Sequence, residues 1–302
     1  MISYITQNLE TIDLNQCQRL FHGRGHAYKT LEHVNVDWFS PVILITLYRA
    51  ADAEWLSEQV DALSKLDAFQ EKCLSIQVQH RYQKYAPIDV LWGENITETI
   101  VEEHDLKFHI QLGKSQNLGL FLDMSNGRKW LLENAQDKKI LNLFAYTCAF
   151  SIAGLAGGAE QVINIDMAKA ALSKGRDNHK LNKQDLSRVK FEGVDIFKSY
   201  GRLKKYGPYD ILVCDPPSFQ KGSVDIARDY KKIIKRIPQL MKPEAEILLC
   251  LNSPDLDESF LLSEVERECP ECVFQNKIFN PDVFVEAEKG KGLKVLRFKY
   301  LP

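Results

Sequence analysis

Three acidic side chains, each placed after an apolar segment, are the residues of this chain best suited to hold and orient a ligand. Asp166, Asp195 and Asp215 follow runs that are typical of buried strands. Open α/β sheets bind ligands at the carboxyl ends of such strands. A single aspartate in this position is more often a helix cap or a turn residue, so the prediction of a site depends on the ordered set of three.

The third acid belongs to the string Asp215, Pro216, Pro217, Ser218 and Phe219. Because proline fixes the backbone angle φ, two prolines directly after a strand produce a rigid turn. The turn would hold a carboxylate and an aromatic ring at the edge of the sheet. A plain loop start is the alternative interpretation, since prolines often open loops.

The segments before these acids predict a second part of the site. Residues 139–144 are predicted to form a strand that leads into a tight turn and a helix of small residues at 152–156. This geometry brings backbone N–H groups to a ligand, but the chain lacks the G-x-G-x-x-G pattern of a dinucleotide site. Asp166 stands roughly 20 residues further on, the offset at which an acid meets a ribose. Asp195, with apolar Ile196 and Phe197 beside it, would suit a purine ring.

Residues from about 105 to 302 resemble the class I S-adenosylmethionine (AdoMet) dependent methyltransferases of the large-subunit ribosomal RNA group. The resemblance rests on the strings NLFAYTCAFS at 142–151, DPPSF at 215–219 and LGLFLD at 118–123, with Asn126, Gly127 and Arg128 after the last of them. It implies an α/β fold with a doubly wound mixed sheet, mostly parallel, with an antiparallel carboxyl-terminal edge. A small α+β domain at 1–104 would precede a methyltransferase domain at 105–302.

The resemblance also implies AdoMet as the cofactor and a role for each site residue. Residues 142–151 would surround the methionine part, Asp166 the ribose, and Asp195 and Phe197 the adenine. The expected cofactor contacts are Phe121, Asp123, Arg128, Asn142, Phe144, Ala145, Tyr146, Thr147, Ser151, Asp166, Met167, Asp195, Ile196, Phe197 and Asp215. The expected catalytic residues are Asp215, Pro216, Pro217, Phe219 and Asn252. Cys148 and Ala149 replace two glycines that are usual in the family, a change expected to tighten the loop.

The residues after the strand predicted at 245–251 bear on the target atom. Methylation of a pyrimidine carbon needs a nucleophile, normally a cysteine, and Asn252 stands where family members that make 5-methylcytosine have it. Cys250 lies two residues earlier and is predicted to belong to the core. A nitrogen lone pair needs no covalent adduct, only orientation and hydrogen bonding. The sequence therefore favours a guanine nitrogen over a cytosine carbon.

Composition places the chain among globular proteins. Its 302 residues are 45% hydrophobic and 26% charged, no apolar run approaches the ~20 residues of a membrane span, and no signal peptide opens the sequence. We expect a cytoplasmic protein whose seven cysteines are reduced thiols. Cys269 and Cys272 form half of a zinc motif without a second half nearby, so no metal is predicted.

The amino-terminal part is predicted to contain strands at 41–48 and 74–79, a helix at 51–65 and alternating segments at 97–102 and 106–112. The extra RNA-binding module that better-known family members carry before this point is not expected here. A net charge of −2 and a pI near 6.4 lack the basic footprint of RNA binding, so a local patch must supply it. The candidate substrate-binding residues are His22, Arg24, His26 and Tyr28, with a structured turn as the alternative.

The predicted partner is RNA from the large ribosomal subunit, and no membrane is expected. The oligomeric state stays open, a homodimer being one alternative. Two other functions stay open beside the RNA methyltransferase: methylation of a protein or small-molecule nitrogen, and a non-catalytic AdoMet-binding factor in ribosome assembly. A helix at 225–240 is expected to carry a basic, solvated face. Strands at 273–279 and 294–300 are expected to close the sheet.

Overall fold

The computed structural model describes residues 1–113, 115–217, 219–220 and 224–302, with the backbone alone at 219, 220 and 224. The chain divides into two compact units, Met1–Leu122 with Pro281–Lys289, and Asp123–Asn280 with Gly290–Pro302. The sequence places the boundary after residue 104 instead. That position falls within a hairpin in which Glu103 pairs with Leu106, and a hairpin cannot be cut there without losing its ladder of hydrogen bonds.

The first unit is built on a five-stranded sheet whose strands follow one another in chain order. Its elements are α1 (Ile2–Gln7), β1 (Gln18–His22), β2 (Val34–Phe39), β3 (Val42–Leu47), α2 (Ala53–Ser64), α3 (Asp67–Gln70), β4 (Ser75–His80) and β5 (Ile88–Gly93), and a separate hairpin of β6 (Glu98–Glu103) and β7 (Leu106–Gln111). Strands β3 and β4 are parallel and the other neighbours in the sheet are antiparallel.

Burial explains this arrangement. Every residue of β2 and β3 is buried, and Trp38 packs on Phe69 of α3 with 5.5 Å between the ring centroids. Asp52 begins α2 by accepting a hydrogen bond from the Trp55 amide, as a capping aspartate should. The predicted strands at β3 and β4 and the predicted helix at α2 are confirmed; β1, β2 and β5 were not predicted.

The second unit contains a seven-stranded sheet in the order β10-β9-β8-β11-β14-β16-β15. Its elements are α4 (Ser125–Asn134), β8 (Lys139–Leu143), α5 (Ala149–Ala156), β9 (Gln161–Ile165), α6 (Lys169–Leu181), β10 (Val189–Glu192), α7 (Tyr200–Tyr206), β11 (Tyr209–Cys214), β12 (Phe219–Gln220), β13 (Val224–Asp225), α8 (Ile226–Ile234), α9 (Ile237–Leu240), β14 (Met241–Leu251), α10 (Glu258–Glu268), β15 (Cys272–Ile278) and β16 (Lys294–Tyr300). Strand β16 is antiparallel to both of its neighbours, β14 and β15. The predicted mixed sheet with an antiparallel carboxyl-terminal pair is confirmed.

The strand order reverses between β8 and β11, since the chain proceeds from β8 to β9 on one side and later to β11 on the other. Such a switch point is where open α/β sheets bind ligands. The carboxyl ends of β11 and β14 are tied together there by Tyr230 of α8. Its hydroxyl group donates to the carbonyl oxygens of Cys214, at 3.2 Å, and Cys250, at 2.9 Å.

Two predicted elements end earlier than expected. The helix predicted at 225–240 is divided into α8 and α9, with Pro238 in the first turn of α9, because proline cannot continue a preceding helix. The strand that the sequence predicts to lead directly to Asp195 ends at Glu192. Asp195 therefore lies three residues beyond the strand, where the backbone has already turned.

Candidate functional site

The sheet brings the ends of four parallel strands to one edge. Leu143, the last residue of β8, is paired with Ile165 of β9 on one side and with Cys214 of β11 on the other. Cys214 in turn is paired with Leu249 near the end of β14. The residues that follow these strands therefore emerge at the same edge, as the sequence predicts.

Asp166, directly after β9, has a structural task of its own. One carboxylate oxygen accepts a hydrogen bond from the Tyr146 amide at 2.8 Å, and the other accepts one from the Ala168 amide at 2.7 Å. Asp166 therefore does act as a turn residue, which was the alternative interpretation for each single aspartate. Since each carboxylate oxygen has a further lone pair, the half-buried side chain could still accept from hydroxyl groups. The following Met167 is 54% exposed.

The loop between β8 and α5 has an unusual backbone. Phe144, Tyr146 and Cys148 have φ angles of 57°, 47° and 63°, in the left-handed region that non-glycine residues rarely adopt. Each such residue costs roughly 1–2 kcal/mol. Strain of this kind is held in place by surrounding contacts and is concentrated at ligand-binding loops. Within the loop, the Cys148 amide donates to the Ala145 carbonyl at 2.7 Å.

Helix α6 supports this loop from behind. The Asn178 side chain donates to the Thr147 carbonyl at 3.3 Å. A Cβ at Gly175 would overlap the Cys148 sulfur and lie 2.8 Å from the Cys148 Cβ. The thiol is fully buried, and burial raises its pKa above the ordinary value. Cys148 therefore occupies the space that Gly175 leaves and does not project into the open edge of the sheet.

A buried polar network connects the same loop to the sheet. Asn142 donates to Asn164 at 2.8 Å, Asn164 donates to Ser151 at 2.9 Å, and the Ser151 hydroxyl lies 2.9 Å from His179 Nε2. His179 Nδ1 lies 2.6 Å from the carbonyl oxygen of Gln184, whose amide nitrogen donates to the backbone of α5. The network thus assigns the proton to Nδ1 of a neutral imidazole. Burial lowers the pKa of His179 to about 4.

This placement bears on two predicted cofactor contacts. Ser151 is 0% and Asn142 is 2% exposed, and both side chains are engaged in the network. The placement does not support direct contact with a ligand at the open edge. Both residues instead hold the β8–α5 loop on the sheet. Thr147 and Ala145, also expected to contact the cofactor, have buried side chains, whereas Phe144 and Tyr146 are half-buried.

Asp195 caps the short 3-10 helix Ile196–Lys198, accepting from the Phe197 amide at 2.9 Å. Ile196 is buried, Phe197 is half-buried, and the Lys232 ammonium lies 5.6 Å from the Phe197 ring. Asp195 therefore does act as a helix cap, which was the alternative interpretation of this aspartate. Phe197 and the outer part of the Asp195 carboxylate remain at the surface.

The carboxyl group of Asp215 has a strongly raised pKa. Burial raises the pKa of its carboxyl group to about 7, and the nearby Asp123 carboxylate raises it further, while the Arg128 guanidinium acts in the opposite direction. Asp123 lies in the 3-10 helix Leu122–Met124 and Arg128 is buried in α4. The three predicted residues are therefore electrostatically coupled, as a common site requires.

The remainder of the DPPSF string is only partly described. Pro216 is buried and Pro217 is exposed. Ser218 lies outside the described residues, and of Phe219 only the backbone is described, at the start of β12. The predicted role of the Phe219 ring therefore stays a prediction. Phe121 is 43% exposed and lies near the end of the first unit.

Asn252 is exposed directly after β14. Cys250 is fully buried, as predicted, with a pKa raised well above its ordinary value by burial and then by the Asp215 charge. The turn that carries Asn252 is fixed by Lys294 of β16. The buried Lys294 ammonium donates to the carbonyl oxygens of Ser253, at 2.5 Å, and Leu256, at 2.7 Å.

The predicted substrate loop is only partly accessible. His22 is buried in β1, where Nδ1 lies 2.6 Å from the Arg19 guanidinium and Nε2 lies 3.4 Å from the Glu286 carboxylate. Tyr28 stacks on Phe21, with 5.0 Å between the centroids. These two side chains are part of the structure of the unit and are not free to bind a nucleotide. Arg24 and His26 are exposed.

Sequence reasoning missed several residues of the site. His179, Gln184, Gly175 and Lys294 act through contacts that join distant parts of the chain. No sequence pattern predicted these roles: Lys294 is the first residue of β16, a strand that also contains Arg297 and Lys299. In the described part of the chain, no cluster of three or more potential metal ligands occurs, and no helix is long and apolar enough to cross a membrane. Cys269 and Cys272 are buried, with 3.4 Å between their sulfur atoms.

The strand order, the reversal between β8 and β11 and the acidic residues at that edge define a class I methyltransferase fold. A family model described as S-adenosylmethionine-dependent methyltransferase matches residues 18–299. The chain therefore belongs to this family.

Named relatives and a solved structure agree with this assignment. The chain is 34% identical over 173 residues to ribosomal RNA large subunit methyltransferase I of Tolumonas auensis, covering 56% of this chain and 43% of the relative. It is 29% identical over 223 residues to ribosomal RNA large subunit methyltransferase K of Neisseria meningitidis serogroup B, covering 71% and 61%. The crystal structure of the protein SMU.776 complexed with SAH superimposes with a TM-score of 0.85 at 22% identity, over 99% of this chain and 81% of that one. The matched region is about half the length of the named relatives.

Proposed function

We propose that this chain transfers a methyl group from AdoMet to a base of RNA, and that large-subunit ribosomal RNA is the substrate. Its family membership and the names of its relatives support the proposal. The observation that carries it is the Asp215 carboxyl group, placed at the switch point of the sheet on a rigid Pro216-Pro217 turn, with a pKa raised to about 7.

The residues present fit AdoMet. The donor set contains the half-buried Asp166 for the ribose hydroxyls and Asp195 with Phe197 for the adenine. The Asp123 charge raises the pKa of Asp215, so the two carboxylates repel each other when both are ionised. A cation bound there would relieve this repulsion. When bound, AdoMet supplies a methyl group on a positively charged sulfur.

The chain's own residues then orient the acceptor. Asp215 in its carboxylate form would accept a hydrogen bond from an N–H group of the base, so that the nitrogen lone pair faces the methyl group. As the nitrogen–carbon bond forms, the sulfur–methyl bond would break with its electron pair left on the sulfur, and the proton would leave the nitrogen for Asp215 or water. The exposed Asn252 amide, which directly follows β14 as Asp215 follows the neighbouring β11, would hold the base on its other edge. Orientation and hydrogen bonding at the developing charge are the contributions that a direct transfer requires.

A guanine nitrogen is favoured over a cytosine carbon because the edge offers no cysteine nucleophile in its described part. All seven cysteines are buried, and the pKa values of Cys214 and Cys250, beside Asp215, are raised by burial. A thiol that stays protonated cannot add to a pyrimidine ring. RNA containing 5-fluorocytosine should therefore form no covalent adduct with the protein. An adduct that disappears in Cys250→Ser would instead make a cytosine carbon the target.

The experiment that tests the function is methyl transfer from tritiated AdoMet to three fractions: ribosomal RNA lacking modifications, total protein and small metabolites. We expect label in RNA, and Asp215→Ala should lower the rate by about 100-fold or more, as for removal of a group that acts on the transition state. An unchanged circular dichroism spectrum and cooperative urea unfolding of that variant would show an intact fold. Label confined to protein or metabolites would identify the alternative N-methyltransferase. AdoMet binding with no transfer to any fraction would favour the assembly factor.

A further inference from the structure

The first unit carries a basic and aromatic surface that lies outside the catalytic edge. We call it the arginine–tyrosine patch and define it as Arg24, Tyr48, Arg49, Arg81 and Tyr85. The Arg24 guanidinium lies 4.5 Å from the centroid of the Tyr48 ring, and the Arg81 guanidinium lies 5.8 Å from it. Tyr48 follows β3, Arg81 follows β4, and Arg24 lies in the turn after β1. Since β3 and β4 are parallel neighbours, these residues emerge at one edge of the first sheet.

The positive charge of the patch is not cancelled by ion pairs. Across the described ranges, no carboxylate forms a salt bridge with Arg24, Arg49 or Arg81. Arg81 donates instead to neutral groups, the Gln116 carbonyl at 3.2 Å and the Asn117 side-chain oxygen at 3.3 Å.

Glu32 is an acidic residue whose pKa is affected by the patch. The pKa of Glu32 lies below its ordinary value, first because its own backbone amide donates to the carboxylate, and also because Arg49 and His26 are close. A single exposed carboxylate offsets only part of three arginine charges.

Several other arginines of the chain form salt bridges with carboxylates. Arg19 pairs with Asp37, Arg228 with Asp229, and Arg297 with Glu246. In a chain with a net charge of −2, the patch thus brings together three guanidinium groups that have no carboxylate partner among the described residues. Tyr85, 80% exposed, lies in the β4–β5 connection and has the Lys84 ammonium 4.8 Å from its ring.

We infer that the arginine–tyrosine patch binds an unpaired segment of the RNA substrate. Guanidinium planes that are already stacked on a tyrosine have one open face, onto which a base can stack, while their N–H groups contact phosphates. Tyr85 offers a second stacking surface. An acidic protein segment would use the charges but not the flat rings, so RNA fits the composition of the patch better. The inference rests on the proposed function, because it assumes an RNA substrate.

Four of the five patch residues differ from those predicted from the sequence. The sequence suggested His22 and Tyr28, which are engaged within the unit, together with Arg24 and His26. Tyr48, Arg49, Arg81 and Tyr85 were not candidates, because β3, β4 and the turn after β1 come together only in the folded sheet.

The test measures binding of a fluorescein-labelled, single-stranded 20-nucleotide RNA to the full chain by fluorescence anisotropy between 50 and 200 mM KCl. Arg24→Gln/Arg49→Gln should weaken binding about tenfold at the lower salt concentration. It should also reduce the slope of log K against log salt by about 1.4, because each phosphate contact contributes about 0.7 for a single strand. Tyr85→Ala should weaken binding about fivefold or more without changing the slope, since stacking is nearly independent of salt.

The matched control is Lys204→Gln/Lys205→Gln, which removes two exposed charges from α7 in the second unit. We expect a change below about twofold and an unaltered slope. AdoMet titration of each variant verifies that the second unit is intact.

Two outcomes would overturn the inference and leave the function standing. One is an unchanged affinity and slope in Arg24→Gln/Arg49→Gln while the wild type binds RNA. The other is loss of binding to poly-glutamate but not to RNA in that variant, which would identify an acidic protein as the ligand. Failure of the wild type to bind or methylate any RNA would reject the proposed function itself.

Discussion

Asp215 shows how a residue suited to catalysis can destabilise the fold. Its folded pKa of about 7 is well above the ordinary value of 3.8. Between these two pH values the unfolded chain releases the proton and the folded chain keeps it. The free energy of unfolding therefore falls as pH rises from about 4 to 7, and the loss is complete above pH 7.

We predict that Asp215→Asn is more stable than the wild type at pH 8, by about 2–4 kcal/mol, since each pKa unit corresponds to about 1.4 kcal/mol. Urea unfolding at pH 8 and pH 4 would measure this gain, which should vanish at pH 4. Asp210→Asn is the matched control, because Asp210 pairs with Lys242 at 2.9 Å and accepts from the Lys139 amide. The control should lose stability at pH 8. Equal or lower stability of Asp215→Asn at pH 8 would mean that the carboxyl group is not held in an unfavourable environment.

The same carboxyl pair predicts how the protein distinguishes AdoMet from SAH, which lacks the positive charge on sulfur. Asp123 and Asp215 repel each other when both are ionised, and a cation relieves this repulsion. The ratio of AdoMet affinity to SAH affinity should therefore increase about tenfold between pH 6 and pH 8, and calorimetric titration would measure it. Asp215→Asn should show a ratio independent of pH. A flat ratio in the wild type would contradict this account.

At the scale of elements, helix α6 and the β8–α5 loop depend on each other. The loop has three left-handed residues without a glycine among them, and α6 supplies the space for Cys148 at Gly175. A glycine at 148 would remove the strain of the left-handed backbone but leave the thiol's space empty. The two positions therefore have to be considered as a pair.

A double-mutant cycle tests this pair. Gly175→Ala alone should cost about 1–3 kcal/mol, because an added Cβ overlaps a buried sulfur. Cys148→Gly alone should be nearly neutral. In Cys148→Gly/Gly175→Ala most of the loss should be recovered, giving a coupling energy of about 1 kcal/mol or more by urea unfolding. AdoMet affinity should follow the same order. Additive effects, within about 0.5 kcal/mol, would show that the two positions are independent.

The buried network behind the loop predicts a second pH dependence. His179 has a folded pKa of about 4 against an ordinary value of 6.5, so the unfolded chain takes up a proton first as pH falls. Its contribution to stability is complete above pH 6.5 and is lost between pH 6.5 and pH 4, by about 3 kcal/mol in total. Throughout this range the Asp215 contribution to the free energy of unfolding changes in the opposite direction, rising as pH falls.

The difference between His179→Gln and the wild type isolates the histidine. His179→Gln should be less stable at pH 7.5, because the network loses a hydrogen bond. The difference should shrink as pH falls toward 4, since the variant has no group to protonate there. Urea unfolding at pH 7.5, 5.5 and 4.5 would measure it. A difference that stays constant with pH would show that His179 is not buried in its neutral form.

At the scale of the whole molecule, the sequence predicts the second unit better than the first. Strands β8, β9, β11 and β14 are largely apolar runs, and a polar residue directly follows each of the last three, so the strands and the edge they form could be inferred from local pattern. Strand β5 could not, because its apolar residues are exposed. The contacts of helix α6 with the β8–α5 loop, and the hydrogen bonds from Lys294 to the turn after β14, were also not predicted. Both depend on contacts between segments far apart in the chain.

The boundary between the units shows the same limit. Pro281–Lys289 belongs to the first unit, although more than 150 residues of the second unit precede it. Phe284 packs on His22 with 5.0 Å between the ring centroids, and the Ala287 amide donates to the Gly25 carbonyl at 2.7 Å. No local sequence pattern predicts these contacts.

The contact at Gly25 allows this division of the chain to be tested. A Cβ there would overlap the Val285 carbonyl oxygen, and a backbone atom cannot move aside as a side-chain end can. Gly25→Ala should destabilise the first unit by about 1–3 kcal/mol and should raise hydrogen exchange in β1 and at 281–289. Gly201→Ala is the control, since nothing lies within 4 Å of a Cβ at that helical position, and alanine there should be neutral or stabilising by about 0.5–1 kcal/mol. Unchanged exchange at 281–289 in Gly25→Ala would mean that this segment is not held by the first unit.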